Sequence, residues 1–126
     1  GYFKDEPGSQ TYPVKFLSRL YPDTGNFIAV IGRLAERKQT RKVKALMMGA
    51  TDLPVQSINA PQIIEGLDFS DHRNYWQTGF PALMITDTAF LRNHNYHTAE
   101  DNADSLDYKR MAKVVQGTFA VLQHYE

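Results

Sequence analysis

Short apolar runs alternate with longer amphipathic stretches along this chain, and that alternation restricts its fold more than any other feature. The clearest run, Phe27 to Ile31, is continuous, rich in β-branched residues and enclosed between Gly25 and Gly32. Such a run is typical of a strand that is buried on both faces, as in a parallel sheet. Leu53 to Ala60 and Phe80 to Thr86 are the second and third predicted strands. Strands that alternate with helices predict an α/β fold, built as a three-layer αβα sandwich.

Helical spacing of apolar residues predicts the elements that cover this sheet. Residues 33–49 form one predicted helix, with Gly49 as its C-cap. A short helix is predicted from Ser70 to Gly79, and a last one starts at Ser105 or Asp107 and ends near Tyr125. Polar loops are predicted at 1–13 and 87–104, and residues 1–126 are expected to form a single domain. The last helix should face the sheet with an apolar stripe of Met111, Val114, Val115, Thr118, Phe119 and Leu122.

Composition excludes several classes of protein. The 14 Lys and Arg residues balance 14 Asp and Glu residues, which gives no support for a nucleic-acid partner. The chain has no Cys, so disulfide scaffolds, thiolate metal sites and thiol catalysis are excluded, while the compartment stays open. No apolar run approaches the roughly 18 residues of a membrane span, and no signal-peptide pattern is present. The chain opens at Gly1 without Met, so we expect a processed product or a piece of a longer protein.

Two segments attract attention and also have ordinary structural explanations. Residues 33–44 contain six basic side chains, which fit an anion site, but in a chain of neutral total charge they are better interpreted as the solvated face of a helix. Ser70, Asp71 and His72 are the residue types of a hydrolase triad. Consecutive helical residues point about 100° apart, so these three cannot form that triad among themselves. By themselves, these residues are better explained by a capped helix N-terminus.

His97 is the strongest candidate for chemistry. It follows Tyr96 in a polar loop just after a predicted buried strand, and α/β proteins place ligands at strand ends. A single loop histidine cannot by itself hold zinc, because a catalytic zinc site keeps at least three protein ligands. An ordinary surface histidine is therefore the alternative interpretation, and His94 and His124 show no distinguishing feature.

Two motifs in a fixed order resemble the C-terminal half of the two-zinc aminopeptidase family, to which leucyl aminopeptidases, glutamate carboxypeptidases and, more distantly, glutaminyl cyclases belong. The first is Ser-Asp-His at 70–72, followed by Gly-Phe-Pro-Ala at 79–82. The second is Tyr-His-Thr at 96–98, with Asp101 soon after it. The opening 13 residues also look like the family segment that follows an acidic metal ligand. The resemblance therefore runs nearly from end to end.

The resemblance implies roles for individual residues. His97 matches a ligand of one of two zinc ions, and Tyr96 matches a position that stabilises the tetrahedral intermediate in some members. Asp71 and His72 match a motif whose side chains do not bind the metal themselves but support the residues that do. The other ligands and the general-base Glu would lie upstream of Gly1. One departure is His94, where the family often has Pro, and it concerns the rigidity of the loop.

The implied function is that of a zinc-dependent exopeptidase acting on peptide substrates, with this chain inactive alone. One alternative is a noncatalytic binding domain of the same fold, which the presence of His97 disfavours. Another is a glutaminyl cyclase-like acyltransferase, but such enzymes tend to carry Trp at the position of Tyr96. A further expectation is self-association through surface that the upstream half would otherwise cover.

Overall fold

The computed structural model describes residues 1–12, 15–59, 81–88 and 91–125. These residues form a three-stranded sheet of order β2-β1-β3, with strands β1 (Ile28–Gly32), β2 (Val55–Asn59) and β3 (Met84–Thr86). The helices are α1 (Lys15–Leu20), α2 (Arg37–Ala50) and α3 (Tyr108–His124), with 3₁₀ turns at Leu34–Glu36 and Ala103–Ser105. The predicted α/β fold is confirmed. The helix predicted over 70–79 lies outside the described residues.

β1 is the buried centre of the sheet. All five of its residues are buried, as the uninterrupted apolar run predicts. Because side chains alternate along a strand, Ile28 and Val30 face one cluster, which includes Val43 and Met47 of α2. On the opposite face, Phe27, Ala29 and Ile31 pack with Leu17 of α1 and Ile58 of β2. Helical residues therefore contribute to the core on both sides of this sheet.

The direction of β3 decides where the following polar loop emerges. β1 runs parallel to β2 but antiparallel to β3, with Thr86 opposite Ala29 and Met84 opposite Ile31. The sheet is thus mixed, and the chain leaves β3 beside the amino end of β1. The loop that carries His97 therefore starts at the edge opposite the carboxyl ends of β1 and β2. The rule that places ligands at carboxyl ends of parallel strands does not explain its position.

The helix ends follow local hydrogen bonding. Asp107 is the N-cap of α3, as one of the two predicted caps, and its side chain accepts a hydrogen bond from the backbone N–H of Arg110 at 3.0 Å. Gly49 as the C-cap of α2 is wrong. The helix continues to Ala50, and the extended residue Thr51 ends it by donating its N–H to the carbonyl oxygen of Met47.

The face that α3 presents to the core differs from the predicted stripe. Val114 and Val121 pack against the core, whereas Val115, Phe119 and Leu122 are 58–77% exposed. Gly117 sets this orientation, because it lies buried against Met47 of α2. A Cβ atom at Gly117 would stand 3.1 Å from the Met47 Cε, so a bare backbone allows the two helices to approach closely. The stripe prediction is therefore wrong for its Val115, Phe119 and Leu122 side.

The basic stretch lies mainly on the solvent side of α2. Arg37, Lys38 and Arg41 are exposed, as expected for a solvated helix face. Arg33 instead forms a two-pronged ion pair with the buried carboxylate of Glu36, and this hydrogen bonding raises the pKa of Arg33. No helix in the described part of the chain is long and apolar enough to cross a membrane.

Candidate active-site loop

The loop after β3 begins with a buried polar anchor. The Asp87 carboxylate accepts a hydrogen bond from the backbone N–H of Tyr2 at 2.8 Å. Thr88 is buried and has a left-handed backbone, with φ of 70°. Its hydroxyl accepts a hydrogen bond from the Gln10 side-chain amide at 2.9 Å. The start of the loop is thereby fastened to residues 1–10.

Arg92 completes this anchor and is only 1% exposed. Its Nε donates to Oε1 of Gln10 at 2.8 Å, and its Nη1 donates to the carbonyl oxygen of Tyr2 at 3.0 Å. The guanidinium also lies 4.8 Å from the ring centre of Phe27 and 5.6 Å from that of Phe3. Burial lowers the pKa of Arg92, and the nearby Asp87 carboxylate opposes that change.

Beyond the anchor, the loop turns outward and exposes Tyr96 and His97. His97 has a left-handed backbone with φ of 62°, which is uncommon for a residue with a side chain. The Tyr96 side chain is 39% exposed, and its ring centre lies 3.9 Å from that of His97. Among the described residues, the His97 side chain takes part in no hydrogen bond.

Of the four residues that the sequence singles out, the structure brings two together. Tyr96 and His97 share the exposed turn. Asp71 and His72 lie outside the described residues, so their expected proximity to this turn stays a prediction. Within the described ranges, no three His, Asp or Glu side chains come together as a set able to hold a metal ion.

Sequence reasoning missed the two residues that shape this loop, Arg92 and Asn93. A lone arginine in a polar segment is normally exposed, so nothing local predicts the burial of Arg92. A turn starting at Asn93 could have been predicted, because Asn favours the first position of a turn. It is 5% exposed, and its side chain bonds to both Asn95 and Asp101.

Comparison with known proteins assigns the chain to a family. The model of peptidase family M28 matches residues 24–122, which include β1, the Tyr96–His97 turn and most of α3. The chain belongs to peptidase family M28. The resemblance to two-zinc aminopeptidases is thereby confirmed. No solved structure shows a significant match to this M28 chain.

Two curated relatives extend this comparison. An uncharacterized protein of Escherichia coli K12, YfbL, is 53% identical over 122 residues, covering 97% of this chain and 38% of that protein. A probable leucine aminopeptidase of Arthroderma otae is 43% identical over 56 residues, covering 41% of this chain and 15% of that protein. The M28 chain thus spans well under half the length of either relative.

Proposed function

We propose that this chain supplies part of the active site of a zinc-dependent aminopeptidase, with His97 as a ligand of one of two zinc ions. The observation that carries the proposal is the exposed, left-handed His97 in a loop anchored within an M28 domain. Neutral imidazole is a common zinc ligand. Backbone strain of this kind clusters at functional sites, where the surrounding structure holds it in place.

The donor chemistry of this loop fits one position of such a site. His97 offers an imidazole nitrogen, while a catalytic zinc needs at least three protein ligands. The remaining ligands and the general base therefore have to come from residues other than those described. When bound, zinc polarises a substrate carbonyl and lowers the pKa of a bound water. The contribution of His97 is to hold its imidazole outward.

Tyr96 is proposed to donate a hydrogen bond from its phenol to the oxygen that becomes negative as the peptide carbonyl is attacked. Its partial exposure and its position beside the His97 ring support this role. Replacing Tyr96→Phe should lower kcat by about 10²–10³ by analogy with the loss of one oxyanion donor. Zinc content should stay unchanged, which separates this role from a structural one.

The decisive experiment uses the complete protein that contains this chain. His97→Ala should remove one zinc ion, measured by elemental analysis, and abolish release of nitroaniline from aminoacyl-p-nitroanilides. His94→Ala is the matched control, because His94 is an exposed histidine of the same loop. Full activity and full zinc content in the His97→Ala protein would remove the metal role from His97.

Asp71 and His72 are proposed to support the zinc ligands through hydrogen bonds. Replacing such an outer residue generally reduces metal affinity or activity by about 10- to 100-fold. Asp71→Asn and His72→Gln, each measured for zinc affinity in the complete protein, test this role. Wild-type affinity in both variants would contradict it.

The chain alone is expected to be inactive on peptides and to bind zinc weakly at best. The reason is the shortage of ligands, since only His97 is assigned to this chain as a metal ligand. Calorimetric titration with zinc and hydrolysis of aminoacyl-p-nitroanilide by the isolated chain test the expectation. Zinc binding at micromolar concentration together with turnover would show that the site is misplaced.

We also propose that the isolated chain self-associates through the exposed apolar side of α3. Val115, Phe119 and Leu122 follow one another at helical spacing there, and all are more than half exposed. Sedimentation velocity should show concentration-dependent dimers that Phe119→Lys abolishes. Leu34→Lys, at an exposed apolar residue outside α3, is the control that should leave association intact.

A further inference from the structure

The buried side chain of Asn93 joins the two ends of the turn that carries Tyr96 and His97. Its Nδ2 donates to Oδ1 of Asp101 at 2.9 Å, and its Oδ1 accepts from the backbone N–H of Asn95 at 3.0 Å. Only the amide nitrogen can donate to a carboxylate, and only the amide oxygen can accept from an N–H. Both bonds therefore fix the same orientation of the amide, and residues 93–101 form a closed loop.

Backbone hydrogen bonds within this loop leave His97 little freedom. The N–H of Tyr96 donates to the carbonyl oxygen of Asn93 at 3.2 Å, and that of Thr98 donates to Asn95 at 2.9 Å. The N–H of Asp101 then donates to the carbonyl oxygen of Thr98 at 3.2 Å. A left-handed backbone is disfavoured for a residue with a Cβ, so it persists only where its surroundings impose it. Here the consecutive turns impose it, and Asn93 holds the first turn to the last.

We propose that Asn93 and Asp101 are positioning residues, which hold His97 in its left-handed conformation and thereby aim its imidazole at the zinc position. The inference rests on the proposed function of His97. Without the bond between the two side chains, the ends of the loop separate and His97 relaxes toward ordinary backbone angles. Zinc then has to restore the order that the hydrogen bond supplies in advance, so zinc affinity falls.

The hydrogen bond between the side chains of Asn93 and Asp101 can be rebuilt with its donor and acceptor exchanged. Asn93→Asp alone sets two carboxylates against each other, although the carboxylate can still accept from the N–H of Asn95. Adding Asp101→Asn restores a donor and an acceptor with their positions exchanged. If the double variant recovers zinc affinity, the hydrogen bond between the two positions is what matters, and not the identity of either residue.

The test compares Asn93→Asp, Asp101→Ala and the double exchange Asn93→Asp with Asp101→Asn in the complete protein. Zinc alone is the probe, measured by competition with a chromophoric chelator, together with kcat and KM on an aminoacyl-p-nitroanilide. Each single variant should weaken zinc binding by about 10- to 100-fold and lower kcat at limiting zinc, with little change in KM. The double exchange should return affinity to within about threefold of wild type by restoring this outer-shell bond.

A matched control is available in the same segment. Asn102 caps the following 3₁₀ turn by accepting the N–H of Asp104 at 3.1 Å, so Asn102→Ala should keep wild-type zinc affinity. Asp101→Ala leaves the Nδ2 of the buried Asn93 without its acceptor, so its melting temperature should fall modestly. Zinc affinity is compared well below the melting temperature of each variant, and Asp101→Ala keeps the test informative even if Asn93→Asp fails to fold.

The outcomes separate the two proposals. If His97→Ala keeps wild-type zinc binding, the proposed function itself fails. If His97→Ala loses a zinc ion while Asp101→Ala and Asn93→Asp bind zinc like the wild type, the positioning role is wrong. A double exchange that binds no better than Asn93→Asp would also overturn it, because the bond would then not be what matters.

Discussion

Two of the described residues in the loop after β3 have left-handed backbones, and their surroundings are opposite. Thr88, with φ of 70°, is 8% exposed and bonds through its hydroxyl to Gln10. His97, with φ of 62°, is exposed and touches the ring of Tyr96. The strain at Thr88 is thus stabilised by buried hydrogen bonds. The strain at His97 is held by turns and leaves its side chain outward.

The contrast indicates that one part of this loop stabilises the fold and the other part is available for function. Thr88, Arg92 and Asn93 are buried, and with Asp87 they form an anchor that ties the loop to the first ten residues of the chain. Residues 94–100 are exposed. Substitutions in the anchor should therefore change folding free energy, and substitutions at His97 should change function. If substitutions in the two parts of the loop changed the same quantity, this distinction between them would be wrong.

The largest stability effect is expected from Arg92→Ala. The change removes one of two donors to the Gln10 side-chain oxygen, which keeps the Thr88 hydroxyl at 3.1 Å, and it removes the donor to the Tyr2 carbonyl. It also empties space beside the rings of Phe3 and Phe27. We expect a loss of about 3 kcal/mol in the free energy of unfolding, measured by urea denaturation. Arg41→Ala, at an exposed site on α2, should change it by less than about 0.5 kcal/mol. Equal effects from the two variants would mean that Arg92 does not anchor the loop.

Gly25→Ala tests the same anchor by adding a Cβ atom where Gly25 lies against Arg92. An added Cβ would lie 2.8 Å from both Cδ and Nε of Arg92, so the buried guanidinium would have to move. We expect a loss of about 1–3 kcal/mol from this overpacking. Gly49→Ala is the matched control, because nothing lies within 4 Å of its added Cβ inside α2. That helix-interior substitution should instead stabilise the chain by about 0.5–1 kcal/mol.

The sequence predicts the parts of this fold that depend on local pattern. The strand Ile28–Gly32 forms within one residue of the predicted Phe27 to Ile31 because the apolar run is uninterrupted, and Asp107 caps a helix because its side chain can reach the next turn. The exposed side of α3 is not predictable this way. The choice of face depends on the contact of Gly117 with Met47, two residues far apart in sequence.

The candidate site shows the same limit. The Tyr-His-Thr motif predicts Tyr96 and His97 as site residues, but the edge of the sheet at which they lie depends on the antiparallel pairing of β3 with β1. Likewise, Arg92 is buried by partners more than 80 positions away, Gln10 and Tyr2. No local pattern carries that information, because a hydrophilic loop residue is solvated unless tertiary structure closes over it.

A smaller effect, of opposite sign, is expected from His97→Gly. Glycine removes the steric cost of a left-handed backbone, about 1–2 kcal/mol, but makes the unfolded chain more flexible by about 0.4–1 kcal/mol. The net change should be a gain of between zero and about 1.6 kcal/mol in the free energy of unfolding. Under the proposed zinc role of His97, the same substitution should also remove the proposed aminopeptidase activity of the complete protein. A clear loss of stability would show that the His97 side chain belongs to the anchor.

The smallest effect concerns Tyr12, whose neighbour Thr11 is bonded to the loop at Leu91. Burial raises the pKa of Tyr12 to about 12, while the positive charge of Arg92 acts to lower it. Because the folded-state pKa lies above the ordinary value near 10, the neutral phenol favours the folded state. This contribution is complete below pH 10 and is lost as the pH rises toward 12.

The difference in absorbance at about 295 nm between wild type and Tyr12→Phe should follow this late ionisation. Arg92→Met should delay it further by removing the positive charge, whereas His97→Ala should leave it unchanged. A delay caused by His97→Ala would instead couple the exposed turn to the anchor and contradict the separation of the two regions.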